Sequence, residues 1–304
     1  MTEYLVSMLS RRYITATLSR GYKRKTKGYA LATDKTTAID IGDEPMQIHR
    51  KFPHITVAVG EERLVAIPHI LHDRPHTEVI ILDDAFQHRS INAGLNILLT
   101  EYKNLFTRDL MIPCGDLRDV RSSAERAHII VVTKCKSDLS DEERNTIMLE
   151  LKPKSHQKVF FTKFTYGKPR HLFTKEETVL LPAHDVLLLS GIANPKPLKE
   201  LLTTQVHSFD MLSYNDHHIF SSDDLKDIHK QYAALSGDNK MVLTTEKDGV
   251  RLEKFGPELS DLPVYVLPVA HSFLFHQAGE FEAAVITYIN DMKRKIVAIE
   301  EVSI

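Results

Sequence analysis

The stretch VIILDDAFQHR, Val79 to Arg89, runs from four apolar residues into two adjacent carboxylates, Asp83 and Asp84, and then Gln87, His88 and Arg89. A short Val/Ile/Leu run reads as a buried strand. An acid where such a strand emerges is where phosphoryl-transfer folds keep a ligand for Mg²⁺ or for its bound water. A polar strand end or a turn cap would use the same residues with no chemistry attached.

Three further clusters carry reactive types. In IGDEPMQIHRKF, Ile41 to Phe52, Asp43 reads as a helix N-cap with Glu44 and Pro45 in the first turn. Beside a phosphate cleft, the same carboxylate could take a proton from an attacking hydroxyl. In LSYNDHHIFSSDDL, Asp216, His217 and His218 lie in a loop just before a helix start at Ser221 or Ser222. Adjacent Asp and His can form a base pair in which the carboxylate orients the imidazole, and exposed loop polarity is the alternative. In LSRGYKRKTKGY, the cations Arg20, Lys23, Arg24, Lys25 and Lys27 follow a strand and surround Gly21 and Gly28. They make either a solvated basic loop or a phosphate-holding one.

The elements that would position these groups alternate along the chain. Strands are predicted at Tyr13–Leu18, Ile55–Val59, Val79–Leu82, Leu95–Thr100, Ile129–Thr133, Val186–Ser190, Lys240–Thr244 and Val264–Leu267. Helical spacing marks Glu61–Leu71, Asp141–Leu151, Pro197–Leu202, Asp223–Leu235 and Glu280–Met292. Apolar strands separated by helices predict an α/β fold with a parallel sheet covered on both sides, ligands binding beyond the strands' carboxyl ends. The stretch from Lys152 to His171 lacks a sustained helical period and suggests a boundary. Two α/β lobes flanking a cleft are expected, residues 1–160 and a smaller lobe at 161–304.

Composition bounds the rest. With 304 residues and a net charge of -2, the chain is long enough for two cores, and nothing in its charge demands nucleic acid. Its two cysteines, Cys114 and Cys135, match neither a zinc pattern nor a disulfide framework, which fits a reducing compartment. No apolar run reaches a membrane span, and the first residues do not form a signal peptide, so the chain alone reads as cytoplasmic.

Taken together, SRGYKRKTKGY, GDEP, LDDAFQHR, IPCGDLRD, NDHHIF and TTEKDGVR occur in the order and approximate spacing of the tetraacyldisaccharide 4'-kinases, and the resemblance spans essentially the whole chain. It implies a P-loop kinase that uses ATP and Mg²⁺ to phosphorylate the 4'-hydroxyl of tetraacyldisaccharide 1-phosphate, giving lipid IVA in lipid A biosynthesis. It also implies a peripheral position at the cytoplasmic face of the inner membrane. Carried over by position, Asp43 looks like the catalytic carboxylate, His217 its partner, and Asp216 a group that helps orient the histidine. Glu44, Asp83 and Asp84 look like acids around Mg²⁺ and the phosphates, with Gln87 and His88 near the same site. Arg20 and Arg118 are candidates for phosphate contacts. The chain departs from the family pattern at Asp119, where LRE is common, and at Lys23, where glycine is common.

No GxxxxGK[ST] loop occurs in the sequence. Leu5, Met8, Leu9 and Arg12 fall at helical intervals before the strand YITATL, the order expected just after such a loop. The loop and the first strand of the sheet are therefore expected to precede Met1. The alternative function is a truncated lipid- or phosphate-binding paralogue that transfers nothing.

Overall fold

The computed structural model describes the backbone of residues 1–302 and the side chains of residues 1–295. The chain forms two interleaved units: residues 1–19, 62–165 and those from Ala270 onward make one, and residues 20–61 with 166–269 make the other. Consecutive halves divided at residue 160 thus give way to a chain that leaves the first unit and returns to it. One crossing, between Thr165 and Tyr166, falls inside the Lys152–His171 stretch. The physical reason is visible in long-range pairs within each unit. Lys51 reaches Glu246 at 2.9 Å in the second, and the Tyr13 hydroxyl reaches Asn290 at 3.0 Å in the first.

In the first unit, the helix Thr2–Leu9 buries Leu5, Val6, Met8 and Leu9 and leads into the strand Thr15–Ser19. That strand lies parallel to Val79–Leu82, with Thr15 opposite Val79 and Leu18 opposite Leu82. A further sheet orders Val269–Phe273, Lys158–Tyr166, Ile129–Thr133 and Ile97–Glu101, the last three parallel. All five residues of Ile129–Thr133 are buried. This is expected of a strand covered on both faces. Ile130, Val132 and Phe161 pack with Ile147 and Leu151 of the capped helix Asp141–Leu151. Phe160 stacks edge-on against Phe273 and Phe281. Lys152–His171, which has no helical period, holds the nine-residue strand Lys158–Tyr166.

The second unit is built on a five-stranded sheet in the order Ser208–Ser213, Asp185–Ser190, Lys240–Thr245, Val264–Leu267 and Arg170–His171. The first four are parallel and the short last one is antiparallel. Alternation along Asp185–Ser190 divides the core by face. Leu187 and Leu189 meet Leu225 and Ile228 of the helix Ser222–Ala234, whereas Val186 and Leu188 meet Leu198 and Leu202 of the helix Lys196–Gln205. Ser221 caps the former helix in a reciprocal box with Asp224, as its sequence signature predicts. The strand Ser208–Ser213, absent from the sequence expectation, buries little of either face and sits at the sheet edge. Among the described residues, no helix is long and apolar enough to cross a membrane.

Each fully buried leucine here contributes about 1.5–3 kcal/mol from area alone, and truncation adds the cost of a cavity. Leu188, with no exposed surface, is therefore expected to lose about 2–5 kcal/mol of stability on replacement by alanine. Denaturant unfolding of Leu188→Ala checks this, and a loss below 1 kcal/mol would contradict the packing described.

Candidate active site

Two glycines set the backbone geometry next to Asp43. Gly21 (φ +69°) and Gly42 (φ +93°) lie in the left-handed range, where a side chain strains the backbone. A Cβ on Gly21 would come within 2.6 Å of the Ile41 carbonyl, and one on Gly42 within 3.0 Å of the Tyr22 carbonyl. The basic loop and the start of the helix Asp43–Lys51 therefore meet backbone to backbone. Gly42 occupies the N-cap expected of Asp43, so Asp43 stands one residue further in, at the first helical position, with Glu44 exposed beside it. That shift frees the Asp43 carboxylate from capping its own helix.

The carboxylate is instead held by residues far along the chain. Arg251 Nε donates to Asp43 Oδ1 at 2.7 Å, and Arg251 Nη2 donates to Oδ2, making a bidentate pair. His217 Nδ1 lies 2.8 Å from the same Oδ2. Arg251 Nη1 donates to the His218 carbonyl at 3.0 Å, so one guanidinium joins the carboxylate to the loop that carries the histidine. His217 itself adopts φ +64°, a strained position for a residue with a side chain. Asp43 and Arg251 are both buried. Burial pushes the Asp43 carboxyl up, but the hydrogen bonds from Arg251 and His217 outweigh it and hold the group below its ordinary value.

These bonds specify where the imidazole proton sits. Lys247 Nζ approaches His217 Nε2 at 3.2 Å, and an ammonium can only donate. In the neutral imidazole Nε2 must then carry the lone pair and Nδ1 the hydrogen, which points at Asp43. Arg251 Nη2 also comes within 2.9 Å of Nδ1. Two donors cannot bond each other, so this approach reflects their shared acceptor, Asp43 Oδ2. Asp216 accepts from Lys247 at 2.9 Å, which holds its carboxyl low against the effect of burial, and its other oxygen stands 3.6 Å from His217 Nε2. Asp216 thus addresses the Nε2 side through Lys247, and Asp43 is the group bonded to Nδ1. The second histidine of the motif serves the fold: His218 Nε2 pairs with Asp224 at 3.0 Å and its ring stacks on Tyr214.

The basic loop divides in the same way. Arg24 is tucked in against Glu61 and the Gly28 carbonyl, whereas Arg20, Lys23, Lys25 and Lys27 are exposed. Tyr22, also exposed, meets His217 edge-on with ring centroids 5.4 Å apart.

The other predicted residues belong to the first unit. Asp83 continues the strand ladder through its amide to the Leu18 carbonyl at 2.9 Å, and Asp83 Oδ1 accepts from the Thr2 hydroxyl at 2.6 Å. The buried Arg63 donates to the Asp83 carbonyl at 3.3 Å. Asp84 (φ +48°) is exposed and bidentate with Arg118, one contact at 2.8 Å. Gln87 is exposed, and His88 Nδ1 lies 3.2 Å from Ser90 Oγ. Among the described residues, no group of three or more His, Cys, Asp or Glu is arranged to hold a metal ion.

Arg251 and Lys247 had no role in the sequence expectation. Both lie in TTEKDGVR, four residues apart on the helix Glu246–Leu252. That spacing puts two cations on one helical face, a signal that was legible once the segment was taken as a helix.

The sequence model described as LpxK, tetraacyldisaccharide-1-P 4'-kinase, matches residues 1–290. The tetraacyldisaccharide 4'-kinase of Bacteroides thetaiotaomicron is 40% identical over 308 residues, covering 96% of this chain and 81% of its own length. That of Flavobacterium johnsoniae is 42% identical over 292 residues, covering 95% and 82%. The fold is similar to the crystal structure of LpxK from Aquifex aeolicus in complex with ATP, at a TM-score of 0.71 and 24% identity over 95% of this chain and 82% of that one.

The lowered Asp43 carboxyl sets a pH dependence. A depressed folded-state value contributes stability that is present above the unfolded carboxyl value, about 3.9, and is lost as pH falls through the lower folded one. The stability margin of the native protein over Asp43→Asn is therefore expected to shrink as pH falls below about 4. Unfolding curves from about pH 5 downward check it; a margin that grows below about pH 4 would contradict the geometry.

Proposed function

The chain belongs to the tetraacyldisaccharide 4'-kinase family, a kinase of lipid A biosynthesis, and from that premise we propose that the Asp43–His217 pair accepts the proton of the substrate's 4'-hydroxyl. The observation that supports this reading is the hydrogen bond between Asp43 Oδ2 and His217 Nδ1, in a setting that keeps the carboxylate ionised. As the 4'-oxygen attacks the γ-phosphorus of ATP, its O–H bond breaks and the proton passes to the pair. The new O–P bond forms in line with the breaking bond to the β-phosphate, and ADP leaves. A hydroxyl near neutrality is a weak nucleophile, so removing its proton as the bond forms is worth about 10²–10⁴-fold.

Asp83 and Asp84 fit the requirements of Mg²⁺. That ion takes one or two carboxylates and completes its shell with water and phosphate oxygens. The pair offers hard oxygen donors at a strand exit, Asp83 with one oxygen already fixed by Thr2 and Asp84 shared with Arg118. Bound there, Mg²⁺ would neutralise phosphate charge during transfer. Arg118, once released from Asp84, and Arg20 and Lys23 in the exposed basic loop are the cations we assign to substrate phosphates, with a supporting role assigned to Gln87, His88 and Glu44. Tyr22 offers an aromatic edge for a sugar ring beside His217.

The acyl chains of the substrate anchor it in a bilayer, which supports a peripheral position for the enzyme at the cytoplasmic face of the inner membrane. The bonded Asp43–His217 pair favours transfer over the alternative of a binding protein that transfers nothing.

Purified protein supplied with ATP, Mg²⁺ and tetraacyldisaccharide 1-phosphate is expected to yield the 4'-phosphorylated product by mass spectrometry. Asp43→Ala and His217→Ala should each lower kcat about 10²–10⁴-fold with the fold retained. Full turnover in both variants would remove the pair from the chemistry.

A further inference from the structure

We infer that Arg251 is a positioning residue for phosphoryl transfer, acting through Asp43: its fork fixes the carboxylate in one orientation and ties the histidine loop to it. This rests on the kinase reading above.

Three features support the assignment. The first is the completeness of the fork. Nε and Nη2 engage both Asp43 oxygens, and Nη1 engages the His218 carbonyl while lying 3.8 Å from Asp248. A lysine offers one point charge and could reproduce only part of this. The second is burial. Arg251 is 8% exposed and Asp43 9%, so the pair is shielded from solvent, and a carboxylate left there without its cation would be driven towards protonation. A protonated Asp43 would neither orient His217 Nδ1–H nor accept a proton.

The third is the charge balance around the pair. Facing it are Asp43, Asp216 and Asp248 against Arg251 and Lys247, with His217 between them, Glu44 next to Asp43 on its helix and the Tyr22 ring over the imidazole. Asp248 is fully buried, and among the described residues its Oδ1 has no hydrogen-bond partner, while its Oδ2 accepts from the Gly191 amide and the Thr245 hydroxyl. Four carboxyl groups, Asp43, Asp216, Asp248 and Glu44, stand against two cations, so the surroundings favour uptake of a proton during transfer. Arg251 cannot itself take that proton, being charged at every relevant pH. It therefore leaves the proton to the Asp43–His217 pair.

The test compares the native protein, Arg251→Lys, Asp43→Asn and the double variant by kcat, by KM for both substrates and by the pH profile of kcat, with thermal melts to establish folding. Arg251→Lys is expected to lower kcat about 10- to 100-fold, with both KM values within about twofold. Without the bidentate bond the carboxyl titrates higher, so the acid limb of the profile moves to higher pH. In the Asp43→Asn background the Arg251→Lys change should cost less than about twofold, because its effect is transmitted through Asp43. Multiplicative effects, or full turnover with an unmoved acid limb, would overturn the inference. A fully active Asp43→Asn would instead overturn the proton-acceptor reading, and Arg251 would lose its role with it. A readout independent of turnover is the ¹³C titration of the Asp43 carboxyl in the native protein. A depressed titration supports the pairing, and an ordinary carboxylate titration overturns it.

Discussion

A carboxylate taken out of water must find a cation or give up its charge, and the arrangement of the second unit follows from how Asp43 meets that requirement. Its partners, His217 and Arg251, stand 174 and 208 residues away along the chain. Removing one member of a buried ion pair typically costs about 3–5 kcal/mol, because the charge left behind is uncompensated. The segments that carry these three residues are therefore bound to one another by the same contact that keeps the carboxylate ionised. The interleaved chain path is the covalent expression of that constraint: residues 20–61 leave one unit to deliver Asp43 to a sheet formed from residues 166–269.

Each surrounding element makes that contact geometrically possible. Gly21 and Gly42 let two backbones approach closely enough to start the helix at Asp43 instead of capping it there. Thr245 caps the short helix that carries Lys247 and Arg251, accepting from the Asp248 amide. The Ser221–Asp224 box starts the next helix and, through Asp224, also holds His218. The left-handed His217 is thus bracketed by a fixed neighbour on one side and by Arg251 on the other. Such a strained residue persists only where its surroundings over-determine it.

Much of this was legible in the sequence, for physical reasons that differ by element. Val79–Leu82, Ile129–Thr133 and Val264–Leu267 are found with the bounds their apolar runs predict, because each is an unbroken run of apolar residues, although only Ile129–Thr133 is buried along its whole length. Ser208–Ser213 has no such run, being an edge strand with half its residues towards solvent. The family resemblance pairs His217 with Asp43, whereas adjacency along the chain points to Asp216; in space Asp43 lies on Nδ1 and Asp216 behind Lys247. The resemblance assigns Arg118 and Asp84 to different ligands, whereas the structure pairs them with each other. Arg251 sat unremarked inside a quoted motif, because its significance depends on contacts across 208 residues.

The central claim is that Asp43, held ionised by Arg251, fixes the proton of neutral His217 on Nδ1. Long-range ¹H–¹⁵N correlation of the native protein's histidines, with His217→Ala to assign the signal, measures this directly at a pH where the imidazole is neutral. A protonated Nδ1 with a lone pair on Nε2 is the predicted result. The opposite tautomer, with its hydrogen on Nε2, would break the bond to Asp43 and contradict the account.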